Sequence, residues 1–335
     1  MLEQRRYYAL YRSIKFGKGN MIKDLMQLPV HFQRSQRQHR FELFFLQYMK
    51  LSDEVSEPTE VNQLWDKYGI VISGSDQIWN KHSCELSRNE WRYMEPYLLI
   101  GYKGKKVSYA SSIASMTEEE LEKILPYVNE FTNVSMREQT SSECMTKMLG
   151  REIATVLDPT FLLDAEQWRK NIKLRTILEE PYILYYSLGG IKKVHSHINR
   201  LRDLVRRKNC RLIVVTPFAW YPVIDDVVEN HPEYGPVEFL SAISGAKAVV
   251  TDSYHGTILS INFEKDLYTI CTQGGSEFRK TDILKRLGME DRIVYDLANI
   301  SEKEYAPINY GAINSKLNMF REQSLSYLKN ALSPS

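Results

Sequence analysis

Two hydrophobic rhythms alternate along this chain. Short apolar runs bounded by Gly, Ser, Pro or Asp stand at residues 69–73, 106–110, 154–157, 182–186, 211–216, 248–251 and 267–271, and they predict buried strands. Between them, apolar residues recurring every three or four positions predict helices over 194–208, 237–244 and 256–263. Thr117-Glu118-Glu119-Glu120 and Ser135-Met136-Arg137-Glu138 both have capping-box spacing and are expected to open helices, which puts Arg137 in a first turn. The final segment, 313–332, carries Leu317, Phe320, Leu325, Leu328 and Leu332 at helical spacing and is expected to close the fold. Strands alternating with helices give an α/β class with mainly parallel sheets. Asp158-Pro159 through Asp164, with the polar stretch 165–180 after it, marks the join between two domains, 1–165 and 166–335; the terminal helix is expected to pack back toward the first.

Composition narrows the class. A chain of 335 residues has room for two domains, each with its own core. Hydrophobic content of 43% against 26% charged residues is globular and excludes wholesale disorder. Cys84, Cys144, Cys210 and Cys271 stand far apart with no C-x-x-C, against a disulfide framework or a zinc site and in keeping with a reducing cytosol. No apolar stretch is long enough to span a bilayer and no signal-peptide core follows Met1, so a soluble cytoplasmic protein is expected. The net charge of +2 hides an asymmetry: residues 1–50 hold ten Lys/Arg against three Asp/Glu, a balance of +7, and the remainder carries −5. This first segment reads as basic amphipathic helices, either a solvated face with its apolar side in the fold or a peripheral contact with the inner face of a membrane. No nucleic-acid module follows, so nucleic acid is not an expected partner.

Candidate chemistry gathers where strands end. In open parallel sheets ligands bind past the carboxyl ends of the strands. There this sequence places Ser73-Gly74-Ser75-Asp76-Gln77, Ala110-Ser111-Ser112, Ser187-Leu188-Gly189-Gly190 and Thr251 to Gly256. In the last turn Ser253 or Asp252 can cap the following helix, Gly256 permits close approach to the backbone, and His255 lies beside unpaired helix N–H groups that suit an anion. An imidazole there can act as acid or base, or be a histidine on a loop. Arg137 in a first turn opposes the helix dipole, which makes it an anion ligand or a partner of Glu138 or Glu143. Arg279 and Lys280 follow Gly274-Gly275-Ser276 and can reach the same anion. Asp76 either meets substrate or caps backbone N–H groups after its strand, and Asn80 shares those two readings. His195 and His197, with no third ligand near, read as surface residues, and nothing implies a metal or a cofactor.

In this order, Val71-Ile72-Ser73-Gly74-Ser75-Asp76-Gln77-Ile78-Trp79-Asn80, Ser108 to Ser112, Ser135 to Glu138, Val156-Leu157-Asp158-Pro159-Thr160 and Thr251-Asp252-Ser253-Tyr254-His255-Gly256-Thr257 resemble the polysaccharide pyruvyl transferase family from about residue 65 onward. The resemblance implies two Rossmann-like lobes, as in GT-B glycosyltransferases, with a cleft between them. It implies transfer of pyruvate from phosphoenolpyruvate to two hydroxyls of a sugar, in a polysaccharide or a lipid-linked precursor, as in capsule or cell-wall polymers. The family's histidine falls on His255, and its arginines on Arg137 and Arg279; Ser75, Asp76, Asn80, Ser253, Gly256 and Lys280 are carried as substrate-binding positions. Relatives begin with an extra strand and an Asn/Gly-rich turn, whereas here Met1 leads straight into the basic segment, so the first lobe is expected to lack its initial strand. Two other functions fit the same fold: a sugar-nucleotide-dependent glycosyltransferase, for which Glu264 and Glu277 are the candidate ribose carboxylates, and a catalytically silent binding protein.

Overall fold

The computed structural model describes residues 28–53, 55, 58–83, 94–216, 226–272, 277–297, 300 and 308–333. Residues 1–27 of the basic segment and Gly274-Gly275-Ser276 lie outside them. In chain order the helices are α1 (Leu28–Tyr48), α2 (Asn62–Trp65), α3 (Glu118–Glu122), α4 (Leu125–Asn129), α5 (Gln139–Leu149), α6 (Ala165–Asn171), α7 (Ile191–Arg207), α8 (Pro236–Gly245), α9 (Tyr254–Asn262), α10 (Phe278–Leu287) and α11 (Tyr310–Leu332). The strands are β1 (Ile70–Ser73), β2 (Lys105–Ser108), β3 (Ser135–Met136), β4 (Ala154–Thr155), β5 (Tyr182–Tyr186), β6 (Arg211–Val215), β7 (Val228–Asn230), β8 (Ala248–Thr251), β9 (Asp266–Ile270) and β10 (Ile293–Val294).

All the strand pairs are parallel, and they form two groups. In the first lobe β1 pairs with β2 and β3 with β4, and bridges Val107↔Asn133 and Ser111↔Met136 join the pairs side by side. Trp79 is fully buried beneath them, edge-on to Phe131 at 5.5 Å, with its indole N–H donating to the Tyr97 carbonyl at 3.2 Å. The second lobe is a six-stranded sheet in the order β10-β9-β8-β5-β6-β7, so the strand order reverses between β5 and β8. Its strands read as continuous apolar runs because helices cover both faces. On α7 this shows as Val194, Ile198, Leu201 and Val205, spaced four, three and four apart and all buried.

The expected helix opening at Ser135 is a strand instead. Ser135 and Met136 are buried in β3, where the Ser135 hydroxyl donates to the Ser108 carbonyl at 3.0 Å and accepts from the Ala110 N–H at 3.2 Å. Tertiary pairing with β4 overrides the capping-box spacing. Helix α5 begins only at Gln139, so Arg137 lies before it, and the dipole argument for that arginine does not apply. The Thr117 capping box does form, with Glu120 closing it. Strands β7 and β10, three and two residues long at the sheet edges, carry too few apolar positions to register as runs.

Two helices tie the lobes together. In α11, Ile313 and Leu317 are buried in the second core, and the Ser324 hydroxyl accepts from the Leu157 N–H at 2.9 Å while Tyr327 Oη donates to the Ser108 carbonyl at 2.7 Å. Helix α1 precedes the first sheet in sequence but packs on the second lobe: Arg40 Nη1 donates to the Glu233 carbonyl at 2.9 Å, and Phe44 and Tyr48 lie against that lobe's core. Among the described residues no helix is long and apolar enough to cross a membrane. His197 is not the surface residue its spacing suggested. It is half-buried, with Nδ1 2.7 Å from the Tyr185 hydroxyl, and burial pushes its pKa down to about 4.

Candidate active site

The site lies where the strand ends of the first lobe meet α9 and α10 of the second. Helix α9 starts there for a local reason. Ser253 is its N-cap, accepting from the Gly256 N–H at 3.3 Å, while Ser253's own N–H donates to Thr251 Oγ1 at 3.0 Å. A Cβ on Gly256 would stand 2.3 Å from Thr251 Oγ1 and 3.0 Å from Tyr186, so this glycine serves the packing of α9 on its own strand. Tyr254 and His255 then occupy the first turn, Tyr254 buried and the His255 side chain 41% exposed.

Arg137 is the hub. Its Nε donates to Glu138 Oε1, its Nη1 to Asp158 Oδ2 and its Nη2 to Asp76 Oδ1, each at 3.0 Å, and its guanidinium carbon lies 4.2 Å over the Tyr254 ring. The side chain is 1% exposed, so its part in the cleft is to gather carboxylates, and it offers no open face to an anion. Burial disfavours its charge, but Tyr254, Glu138, Asp158 and Asp76 outweigh that and raise its pKa well above the ordinary arginine value.

Asp158 turns the chain at the end of the first lobe. Its Oδ1 accepts from the Thr160 N–H at 3.0 Å and the Thr160 hydroxyl at 2.8 Å, fixing the turn around Pro159. That leaves Oδ2 for Arg137 and, at 3.8 Å, for Nε2 of His255. Burial opposes the Asp158 charge, yet His255 and Arg137 beside it hold its pKa below the usual carboxylate value.

Arg279, at the start of α10, points into the same cluster: Nη1 is 3.5 Å from Asp76 Oδ1, and its guanidinium lies 5.8 Å from the Tyr254 ring centre. With its amide oxygen turned to this side, Gln77 accepts from both terminal nitrogens at 3.1 Å. Burial and the like charge of Arg137 lower the Arg279 pKa, a strain that an anion beside it relieves.

His255, Arg137, Arg279 and Asp76 therefore converge on one cluster. The remaining candidates separate from them. Lys280 is buried and donates to the carbonyls of Asp252 at 2.9 Å and Ile270 at 2.7 Å, beside Glu277, so it ties two strand ends together and does not face the anion site. Asn80 is buried and shapes its turn, accepting from the His82 N–H at 3.1 Å. Ser253 caps its helix, and Ser75 remains partly exposed on the turn that carries Asp76. Among the described residues no group of acidic, histidine or cysteine side chains could hold a metal.

Two contributors escaped the sequence reading. Asp158 and Tyr254 stand inside the quoted motifs, but only the fold brings them around Arg137, which also takes Glu138, one of the two partners its position offered. The crevice between β5 and β8 is spanned by Asp252, which accepts from Ser187 Oγ and the Leu188 N–H at 2.8 Å and pairs with Lys193 at 3.2 Å. Neither ribose candidate stands free: Glu264 accepts from Asn314, and Glu277 from the Thr272 N–H while it pairs with Lys280.

Comparison with known proteins bears on the fold and the family. Among solved structures, UDP-N-acetylglucosamine 2-epimerase from Rickettsia bellii is 12% identical over 86% of this chain and 85% of that one, with a TM-score of 0.51. UDP-GlcNAc 2-epimerase from Methanocaldococcus jannaschii is 9% identical over 84% of this chain and 83% of that one, with a TM-score of 0.49. At such identity the likeness to the Rickettsia enzyme is one of fold, the two-lobed GT-B type. No curated protein matches the sequence. The family model for polysaccharide pyruvyl transferase matches residues 4–268, which span both the first-lobe carboxylates and the histidine of α9, and the chain belongs to that family.

Proposed function

We propose that this protein transfers pyruvate from phosphoenolpyruvate to two neighbouring hydroxyls of a saccharide, forming a cyclic ketal and releasing phosphate. The observation that carries the reading is the cluster at the lobe junction, where His255, in the first turn of α9 and backed by Asp158 at 3.8 Å, follows Tyr254, whose ring centre lies 5.8 Å from the Arg279 guanidinium. Phosphoenolpyruvate bears a phosphate and a carboxylate. Arg279 and the first-turn N–H groups of α9 supply donors for such anions, and an incoming anion offsets the repulsion between Arg279 and Arg137.

Protonated His255 gives its proton to the C3 methylene, which becomes the methyl group, and the positive charge that develops at C2 is met by the carboxylates around Arg137. The first hydroxyl oxygen bonds to C2, the C2–O bond to phosphate breaks, and the second hydroxyl closes the ketal. Of the two hydroxyl protons, one replaces the proton His255 gave and the other leaves with phosphate. Arg137 acts by fixing the three carboxylates and the Tyr254 ring. An open groove with a cavity volume of about 770 Å³, lined by Gln139, Ser142, Thr155, Arg286, Phe320 and Gln323, begins one residue from Glu138 and offers space for the rest of a saccharide.

Thermal stabilisation separates this reading from the glycosyltransferase one. Phosphoenolpyruvate is expected to raise the melting temperature, and nucleotide sugars to leave it unchanged. Stabilisation by a nucleotide sugar with indifference to phosphoenolpyruvate would replace pyruvyl transfer by glycosyl transfer.

A further inference from the structure

The three carboxylates on Arg137 are not equivalent. Side chains of Glu138 and Asp158 are each 1% exposed, whereas that of Asp76 is 50% exposed. The contacts of Asp76 to Arg137 Nη2 at 3.0 Å and Arg279 Nη1 at 3.5 Å both run to Oδ1. Among the described residues no backbone N–H donates to its side chain, so it does not cap the turn after β1 as its position suggested. Its backbone is nevertheless held firmly. The φ angle is +76°, and the Asp76 carbonyl accepts from the Ile78 and Ser112 N–H groups at 2.8 and 2.9 Å. A left-handed conformation is strained at a non-glycine residue, and here it presents a half-exposed carboxylate beside Arg279 and within electrostatic reach of His255. Burial raises the Asp76 pKa, but Arg137, His255 and Arg279 together bring it below the ordinary value and keep it charged at neutral pH.

We infer that Asp76 is the catalytic base that takes the proton of the attacking acceptor hydroxyl. The inference rests on the pyruvyl-transfer reading and adds a residue role to it. As the acceptor oxygen bonds to C2 of the protonated donor, its O–H bond breaks and the proton passes to Asp76. Asp76 then hands that proton to the departing phosphate, while the second hydroxyl's proton restores His255. The three charge-favouring neighbours make Asp76 a weak base, which suffices because the oxygen becomes strongly acidic only once bonded to the cationic carbon. The same carboxylate competes with the donor for Arg279, so base and donor site share one cation.

This sharing gives the test its sign. Asparagine tolerates a positive φ better than other replacements, so Asp76→Asn keeps the turn. Phosphoenolpyruvate binding is measured by calorimetry and acceptor-dependent phosphate release by continuous assay, on wild type, Asp76→Asn and Asp76→Ala. The expected result is that Asp76→Asn binds phosphoenolpyruvate at least as tightly as wild type while turnover falls by roughly a hundredfold or more. Added formate is expected to restore part of the turnover of Asp76→Ala and none of that of Asp76→Asn. A residue that merely shaped the turn would lose affinity and turnover together and show no rescue, which would overturn the assignment, as would full turnover in Asp76→Asn. Failure of the wild type to bind phosphoenolpyruvate would instead overturn pyruvyl transfer itself.

Discussion

The Tyr254 ring lies 4.2 Å beneath the guanidinium carbon of Arg137, so a buried arginine of the first lobe rests on the residue that precedes His255 in the second. The ring couples the two halves of the site through one stacked contact. Tyr254→Ala removes a buried aromatic side chain and is expected to cost about 3 kcal/mol or more of stability. No hydrogen bond of the Tyr254 hydroxyl is present among the described residues, so Tyr254→Phe is expected to stay within about 1 kcal/mol of wild type. Urea midpoints of the two variants check both values.

Asp158 holds Arg137 and faces His255 from full burial. Its folded pKa lies below its unfolded one, because His255 and Arg137 more than offset the opposing effect of burial. It therefore contributes stability above the unfolded value of about 4, and that contribution is lost as pH falls from there through the folded value. Asp158→Asn is expected to cost about 3–5 kcal/mol at neutral pH by leaving Arg137 short of a partner, and to show a flatter loss of stability below about pH 4. Urea denaturation at neutral and acid pH tests both; an unchanged acid limb would contradict the assigned pairing.

Neighbours in sequence, Arg279 and Lys280 are expected to behave as opposites. Arg279→Ala removes the partly exposed guanidinium beside Asp76 and should weaken phosphoenolpyruvate binding by about 2 kcal/mol with little loss of stability. Lys280→Met leaves the Asp252 and Ile270 carbonyls unpaired and should destabilise the fold by about 2 kcal/mol or more, with donor affinity retained at temperatures where the variant is folded. Calorimetric titration beside thermal melts separates the two effects. Equal loss of donor affinity in both variants would return Lys280 to the anion site.

Much of this fold was legible because it is written in local periodicity. Strands β5 and β8 fall on the residues that their apolar runs mark, and α7 follows its stripe. What failed was local spacing that a tertiary contact overrode: Ser135 has the spacing of a cap, but its hydroxyl is consumed between Ser108 and Ala110 in a sheet. The candidate site divides in the same way. His255 could be found because a strand, a cap and a glycine surround it in sequence, and Arg279 because it follows a glycine-rich stretch from which a cation can reach an anion; Arg137 was found for a reason the fold removes, since it precedes α5 and its guanidinium is taken by carboxylates. Asp158 was invisible as a site residue, since an Asp-Pro-Thr turn looks alike whether its second carboxylate oxygen meets solvent or a buried arginine from residue 137. Lys280 misled for the converse reason, as nothing local tells a loop cation in solvent from one clamped on two carbonyls.

The proposed chemistry has His255 protonate phosphoenolpyruvate on the way to a ketal. It is tested most directly by nuclear magnetic resonance of phosphoenolpyruvate labelled with carbon-13 at C3, incubated in deuterated water with the protein and a mixture of saccharides bearing neighbouring hydroxyls. The vinyl signal is expected to give way to a ketal methyl carrying one deuterium, with phosphate released in step, and His255→Ala to slow this by roughly a hundredfold or more while still binding the donor. Full turnover in His255→Ala, or a product whose labelled carbon remains a methylene, would contradict it.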